Sequence, residues 1–200
     1  MPHHNRRSIY GIGINDIEET YLKQPRFYSI WRHMLQRCYS SALQSKRPSY
    51  IGCSVVEEWH KLSKFRVWYD ENNVDGWHLD KDLLFPKNKI YSPDTCVFVP
   101  TNINSLLTFT TKNRGELPLG VFYHKRDQHY RSQCSDGTKK RITSHFDTAE
   151  EAHFWYLENK IKVIDKYLNE DYNDRIKQGL TNWKVLLQEH LNNKVEFVIA

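Results

Sequence analysis

Between residues 27 and 40 the apolar side chains Ile30, Trp31, Met34, Leu35 and Cys38 fall at i, i+1, i+4, i+5 and i+8, with Arg32, Gln36 and Arg37 between them. That spacing gives one apolar and one charged helical face. Residues 54–72 repeat the pattern through Val55, Trp59, Leu62, Phe65 and Trp68, which predicts a second helix with Ser54 as N-cap; the run Asn-Asn-Val-Asp-Gly then breaks it. Short apolar runs predict strands over 77–85 and 95–99, joined by the turn-forming stretch PKNKIYSPD. Pro100 ends the second strand, and TNINSLLTF starts a helix.

Beyond the polar, Gly- and Pro-containing stretch 110–118 the pattern changes. Three strands are predicted at 119–125, 129–135 and 139–146, separated by RDQ and by DGT, a tight-hairpin signal. A strong helix follows over 147–168, capped by Asp147 or Thr148, with Glu150 and Glu151 in its first turn. A last helix over 173–191 and a terminal strand in KVEFVIA complete the reading, while residues 1–27 read as an irregular arm or short hairpin. The predicted class is α+β. Its domains are 1–110, a linker at 111–118, a sheet-and-helix domain at 119–170, and a C-terminal helix and tail at 171–200.

The 200 residues are enough for a real core, and the 14% aromatic content argues for order despite the mean hydropathy of −0.74. No apolar run is long enough to span a membrane and the N-terminus lacks a signal-peptide core, so a soluble, cytoplasmic protein without membrane attachment is expected. The four cysteines form no CxxC pair and read as reduced core thiols. Charge is uneven: residues 1–50 and 112–145 each carry 8 basic and 3 acidic side chains, whereas 51–111 carry 6 and 8 and 146–200 carry 7 and 10. Two basic blocks within a chain of net charge +5 fit a polyanionic partner.

Side-chain alternation sharpens this for the three strands. Val121 and Tyr123 share one face with Tyr130, Ser132 and Cys134, which is apolar enough to receive the helix 147–168. The opposite face collects His124, Arg126, Arg131 and Gln133, with Lys140 from the third strand. Such a face can offer side chains to base edges in a DNA major groove. The stretch LPLGVFYHKRDQHYRSQCSDGTKKRITSHFDTAEEAHFWYLENK resembles the Apetala-two/ethylene-response-factor DNA-binding domain, in the form found in phage and mobile-element endonucleases. The matching parts are the opening Gly-Val, Tyr130, and above all FDTAEEAHFWY. The resemblance implies a sheet that reads the major groove and a helix that supports it.

Residues 79–104, LDKDLLFPKNKIYSPDTCVFVPTNIN, resemble the strand–turn–strand–helix of HNH-type (ββα-metal) nucleases. YGIGIND, YSIWRHMLQRCYS and SYIGCSVVEEWHKLSKFRVWY extend the likeness to a group of phage-encoded, HNH-related proteins, many of which carry an Apetala-two-type domain. The resemblance implies a homing-endonuclease-like protein that hydrolyses a phosphodiester with one hard divalent cation, Mg²⁺ or Mn²⁺. Carried over, Asp80 and Asn104 are the metal ligands, Thr95 takes the structural Asn position of the turn, and Asn88 helps pin that turn. Lys81 stands where the family places its general-base histidine. A lysine is normally protonated near neutral pH, so either its proton affinity is depressed or it binds the phosphate as a cation. His78 is the nearest substitute base. Asp80, Lys81 and Asp82 also fit exposed strand charges, with Asn102 and Asn104 as helix caps. Arg32 and Arg37 would add phosphate contacts. The implied partner is double-stranded DNA, without a small-molecule cofactor, bound by a monomer or weak dimer. The alternative is a catalytically inactive, HNH-derived DNA-binding protein with a regulatory role.

Overall fold

The chain is mixed α+β. A computed structural model describes residues 8–21, 24–107, 115–138 and 140–198. Packing divides the chain into two units. The first runs to Asp82 and takes in Asn88–Phe98; the second is made of Leu83–Lys87 and the chain from Val99 onward. Residues 111–114 of the expected linker lie outside the described residues, and the boundary set by packing falls earlier, between Phe98 and Val99.

The first unit contains α1 (Arg26–Tyr39), α2 (Ser41–Gln44), β1 (Ser54–Val55), α3 (Leu62–Asn72), β2 (His78–Asp80) and β3 (Ile90–Tyr91), and nearly all of β4 (Val97–Val99). The predicted stripe of α1 is its buried face: Trp31, Met34 and Leu35 have no exposed surface, and Cys38 has little. They pack with Trp59, Leu62, Phe65 and Phe98, and the Trp31 indole N–H donates to the Trp59 carbonyl at 2.7 Å. The helix predicted over 54–72 is shorter than its pattern. The Ile14 amide donates to the His60 carbonyl (2.8 Å) and the Leu62 amide to the Ile14 carbonyl (3.0 Å), which holds Lys61 extended. The regular helix therefore starts at Leu62, after a 3-10 turn over Glu57–His60. Ser54 caps nothing; it begins β1, which pairs in parallel with β3 inside the stretch read as a turn.

The strand predicted over 77–85 stops at Asp80, as β2, and pairs with β4. Beyond Asp80 the chain bends out of the strand, and Leu83 and Leu84, adjacent in sequence, are both buried. They belong to the second unit, where the Asn182 amide donates to the Leu84 carbonyl at 2.8 Å.

That second unit also holds α4 (Thr101–Leu106), β5 (Val121–His124), β6 (His129–Ser135), β7 (Arg141–Phe146), α5 (Ala149–Leu168) and α6 (Asp174–Asn192). The three strands form one antiparallel sheet in the order β5–β6–β7, with Val121 opposite Ser132 and Cys134 opposite Ile142. Val121, Ser132 and Cys134 are fully buried on the face that receives α5. Thr148, rather than Asp147, caps α5: its hydroxyl accepts from the Glu151 amide while the Glu151 carboxylate accepts from the Thr148 amide. Asn173 caps α6 with its side-chain oxygen, which accepts from the Ile176 amide at 3.0 Å. KVEFVIA forms no strand among its described residues. Phe197 is buried instead, its amide donating to His153 Nε2 at 3.0 Å, while His153 Nδ1 donates to the Leu119 carbonyl at 2.9 Å. These partners fix the tautomer of a buried imidazole. Lys160, 2% exposed, aims its ammonium at the Leu106 carbonyl (2.8 Å), and burial lowers its pKa. Among the described residues no helix is long and apolar enough to cross a membrane.

Gly120 has φ +79°, and a Cβ there would lie 2.2 Å from the Tyr156 ring. Gly120→Ala thus combines left-handed strain with overpacking, and should lower unfolding free energy by roughly 2–4 kcal/mol. Thr148→Ala, which removes one cap, should cost about 1 kcal/mol. Chemical denaturation of both variants checks the order. All four cysteines are free and buried, and burial pushes the Cys38 and Cys96 thiols up to about 12. At about pH 8 a thiol reagent should label none of the four until the protein is unfolded; fast labelling of a folded sample contradicts this packing.

Candidate functional site

The succession β2, β3, β4, α4 puts Asp80 at the end of a strand and Asn104 in the middle of a helix that starts shortly after β4. Asp80 is half-buried and its Oδ1 accepts from the Asp82 amide at 2.7 Å, so the carboxylate is oriented by its own backbone. Asn104 is half-buried on α4. Asp80 belongs to the first unit and Asn104 to the second. Each residue offers an oxygen donor of the kind that a hard cation such as Mg²⁺ or Mn²⁺ takes.

Lys81, the residue after β2, is 5% exposed, and its ammonium lies 2.5 Å from Asp82 Oδ1 and 2.5 Å from the Asn88 carbonyl, with the Tyr91 ring nearby. Asn88 braces the same loop, donating to the Lys81 carbonyl (2.8 Å) and the Ile90 carbonyl (2.6 Å) and accepting from the Ile90 amide. Thr95 ties the next turn, where its hydroxyl donates to the Ile90 carbonyl (2.7 Å) and its amide donates to Ser92 Oγ (3.1 Å). Asn102 is engaged with the Tyr172 hydroxyl at 2.9 Å.

The exposed side of this region holds a pocket of about 370 Å³ lined by Arg26, Ile30, His33, Arg37, Gly76, Trp77, His78 and Leu79. His78 and Arg37 were expected near the site; Arg26 and His33 were not. His33 could have been found from sequence, because it sits four residues before Arg37 on the charged side of α1. Partial burial, then Arg32 and Arg37, lower its pKa, so it keeps a free lone pair at neutral pH. Arg26 is committed to the loop after α3, donating to Asn73 Oδ1 (2.5 Å) and to the Trp77 carbonyl. Burial works to lower the Arg37 pKa, but Tyr91, Tyr50 and Asp80 outweigh it and hold the guanidinium charged. Arg32 keeps a buried Nε with no hydrogen-bond partner.

In the second unit the register puts Phe122, His124, His129, Arg131, Gln133, Arg141, Thr143 and His145 on the sheet face away from α5. His124, Arg131 and Gln133 thus share a face, as alternation requires. Arg126 lies in the β5–β6 turn with its side chain 91% exposed, and Lys140 is exposed just before β7. Sequence reading passed over His145 and Asp127. The His129 and His145 rings are 4.6 Å apart, and His124 Nδ1 is 3.0 Å from Asp127 Oδ2.

The arrangement around Lys81 makes it a structural tie. Lys81→Ala should lower the unfolding free energy by on the order of 2 kcal/mol, by leaving the Asn88 carbonyl and the half-buried Asp82 without their cation. Thermal melts of the wild type and Lys81→Ala check this; an unchanged melting temperature contradicts it.

Compared with family models, with curated proteins and with solved structures, the chain matches none.

Proposed function

We propose that this chain is a metal-dependent DNA endonuclease of the HNH type, homing-endonuclease-like, whose three-stranded sheet reads the duplex. The observation that carries the reading is the pocket of His33, Arg37 and His78 beside the Asp80 strand, in a chain that continues through β4 into a helix bearing Asn104. Mg²⁺ or Mn²⁺, when bound, would be held by Asp80 and Asn104 and would neutralise charge on the scissile phosphate and the departing oxygen. Arg37, kept charged, offers the pocket a cation for a non-bridging phosphate oxygen. His33 takes the proton of the attacking water, a task that needs an unprotonated imidazole at neutral pH. Lys81 has no part in proton transfer; it sets the loop from which Asp80 projects. His124, Arg126, Arg131, Gln133 and Lys140 contact the duplex, with the exposed Arg126 and Lys140 on phosphates. Arg32, on α1 with Arg37, adds a further phosphate contact.

A second reading, an HNH-derived DNA-binding protein without catalysis, is favoured by one observation: the residue at the family's base position is buried and bonded to Asp82 and Asn88.

The two readings separate on supercoiled plasmid incubated with Mg²⁺ or Mn²⁺. Nicking should occur, should vanish in Asp80→Ala and Asn104→Ala, and should slow by roughly 10²-fold or more in His33→Gln, while salt-sensitive duplex binding persists in all three. A folded protein that binds duplex but nicks with neither metal leaves the non-catalytic reading standing. Absence of duplex binding removes both.

A further inference from the structure

The hairpin β5–β6 brings His124, which the DNA-reading proposal places on the duplex, together with Asp127 and His129, which that proposal does not use. His124 ends β5 and His129 begins β6, and the register places them directly opposite each other. Between them the turn reaches Gln128 at φ +51°, a left-handed conformation uncommon for a residue other than Gly, Asn or Asp. That conformation curls the turn so that Asp127 faces back over the strand ends: its Oδ2 lies 3.0 Å from His124 Nδ1, and its carbonyl 3.3 Å from His129 Nδ1. Among the described residues this is the one group of three His, Cys, Asp or Glu side chains whose ligand atoms all lie within 4.8 Å of one another.

We infer that His124, Asp127 and His129 form a binding site for a divalent transition metal of the zinc class. Two imidazoles and one carboxylate are borderline donors, which favour Zn²⁺, Co²⁺, Ni²⁺ or Cu²⁺ over Mg²⁺ or Ca²⁺. Tetrahedral zinc with ligand distances of about 2.0–2.2 Å needs its donors about 3.3 Å apart. His124 Nδ1 is already 3.0 Å from Asp127 Oδ2 and all three ligand atoms lie within 4.8 Å of one another, so rotation of these side chains closes the remainder. The tautomer also suits a ligand: a carbonyl can only accept, so His129 Nδ1 donates to Asp127 and leaves the Nε2 lone pair for the ion. His145, whose ring lies edge-on 4.6 Å from that of His129, lines with it an open groove of about 580 Å³, through which ion and water exchange.

The site rests on the hairpin's own geometry and not on the nuclease reading, and its metal differs from the Mg²⁺ or Mn²⁺ assigned to Asp80 and Asn104. Bound metal would cross-link the two ends of the turn and rigidify the loop that carries Lys125 and Arg126.

The test uses the full chain with His3→Ala and His4→Ala, which removes an adjacent histidine pair at the N-terminus. The protein is freed of metal by chelation, then titrated with Zn²⁺ by calorimetry and with Co²⁺ by visible absorption. One equivalent should bind, with d–d bands of a tetrahedral or five-coordinate site, and excess Mg²⁺ should not displace it. His124→Ala and His129→Ala should each weaken binding by on the order of tenfold or more. Both positions tolerate truncation, since His124 is exposed and His129 only partly buried; circular dichroism confirms the folded state. No stoichiometric binding, displacement by Mg²⁺, or affinity unchanged in either histidine variant overturns the assignment.

Discussion

An ammonium group withdrawn from water must find oxygen acceptors, and the candidate site depends on how Lys81 meets that need. Its bonds to Asp82 and to the Asn88 carbonyl close the loop between β2 and β3, and Asn88 doubles the closure with its own amide. The Asp80 carboxylate is oriented by the Asp82 amide. Lys81 is thus the tie that fixes the loop next to the Asp80 carboxylate. A buried cation contributes in this way only when its acceptors are complete. The second unit uses the same device: Lys160 reaches the carbonyl at the end of α4 from within a helix otherwise packed on apolar residues.

The two faces of the three-stranded sheet show a different economy. One face is packed on α5 and tolerates no vacant volume, as Gly120 against Tyr156 illustrates. The other carries histidines and arginines with room to move, and three histidines from three strands lie within ring contact of a neighbour. Such a face can serve nucleic acid and a metal ion at once, since the arginines are distributed along β6 and β7 while the ligand cluster sits at the hairpin tip.

Much of the fold was legible along the chain. The stripe of α1 is buried from Trp31 to Cys38, and alternation in β5 and β6 buries Val121, Ser132 and Cys134, although Tyr123 stays exposed. The capping box of α5 was legible too. Helix 54–72 was not, because a distant backbone segment at Ile14 intercepts the carbonyl of His60 and the amide of Leu62. Nor was the short β3, whose partner lies far back at Ser54. In the candidate site, Asp80, His78 and Arg37 could be singled out from motif and charge, whereas His33 entered only when α1 packed beside β2.

The sequence by itself therefore determined the period of each element, the sign of each face and the identity of the chemistry-bearing residues, since these depend on spacing and on side-chain type. Only the tertiary structure decided which of two adjacent polar residues turns inward, as with Asp80 and Lys81, and which histidines from separate strands become neighbours. Both outcomes rest on long-range hydrogen bonds and register, whose partners have no fixed offset along the chain.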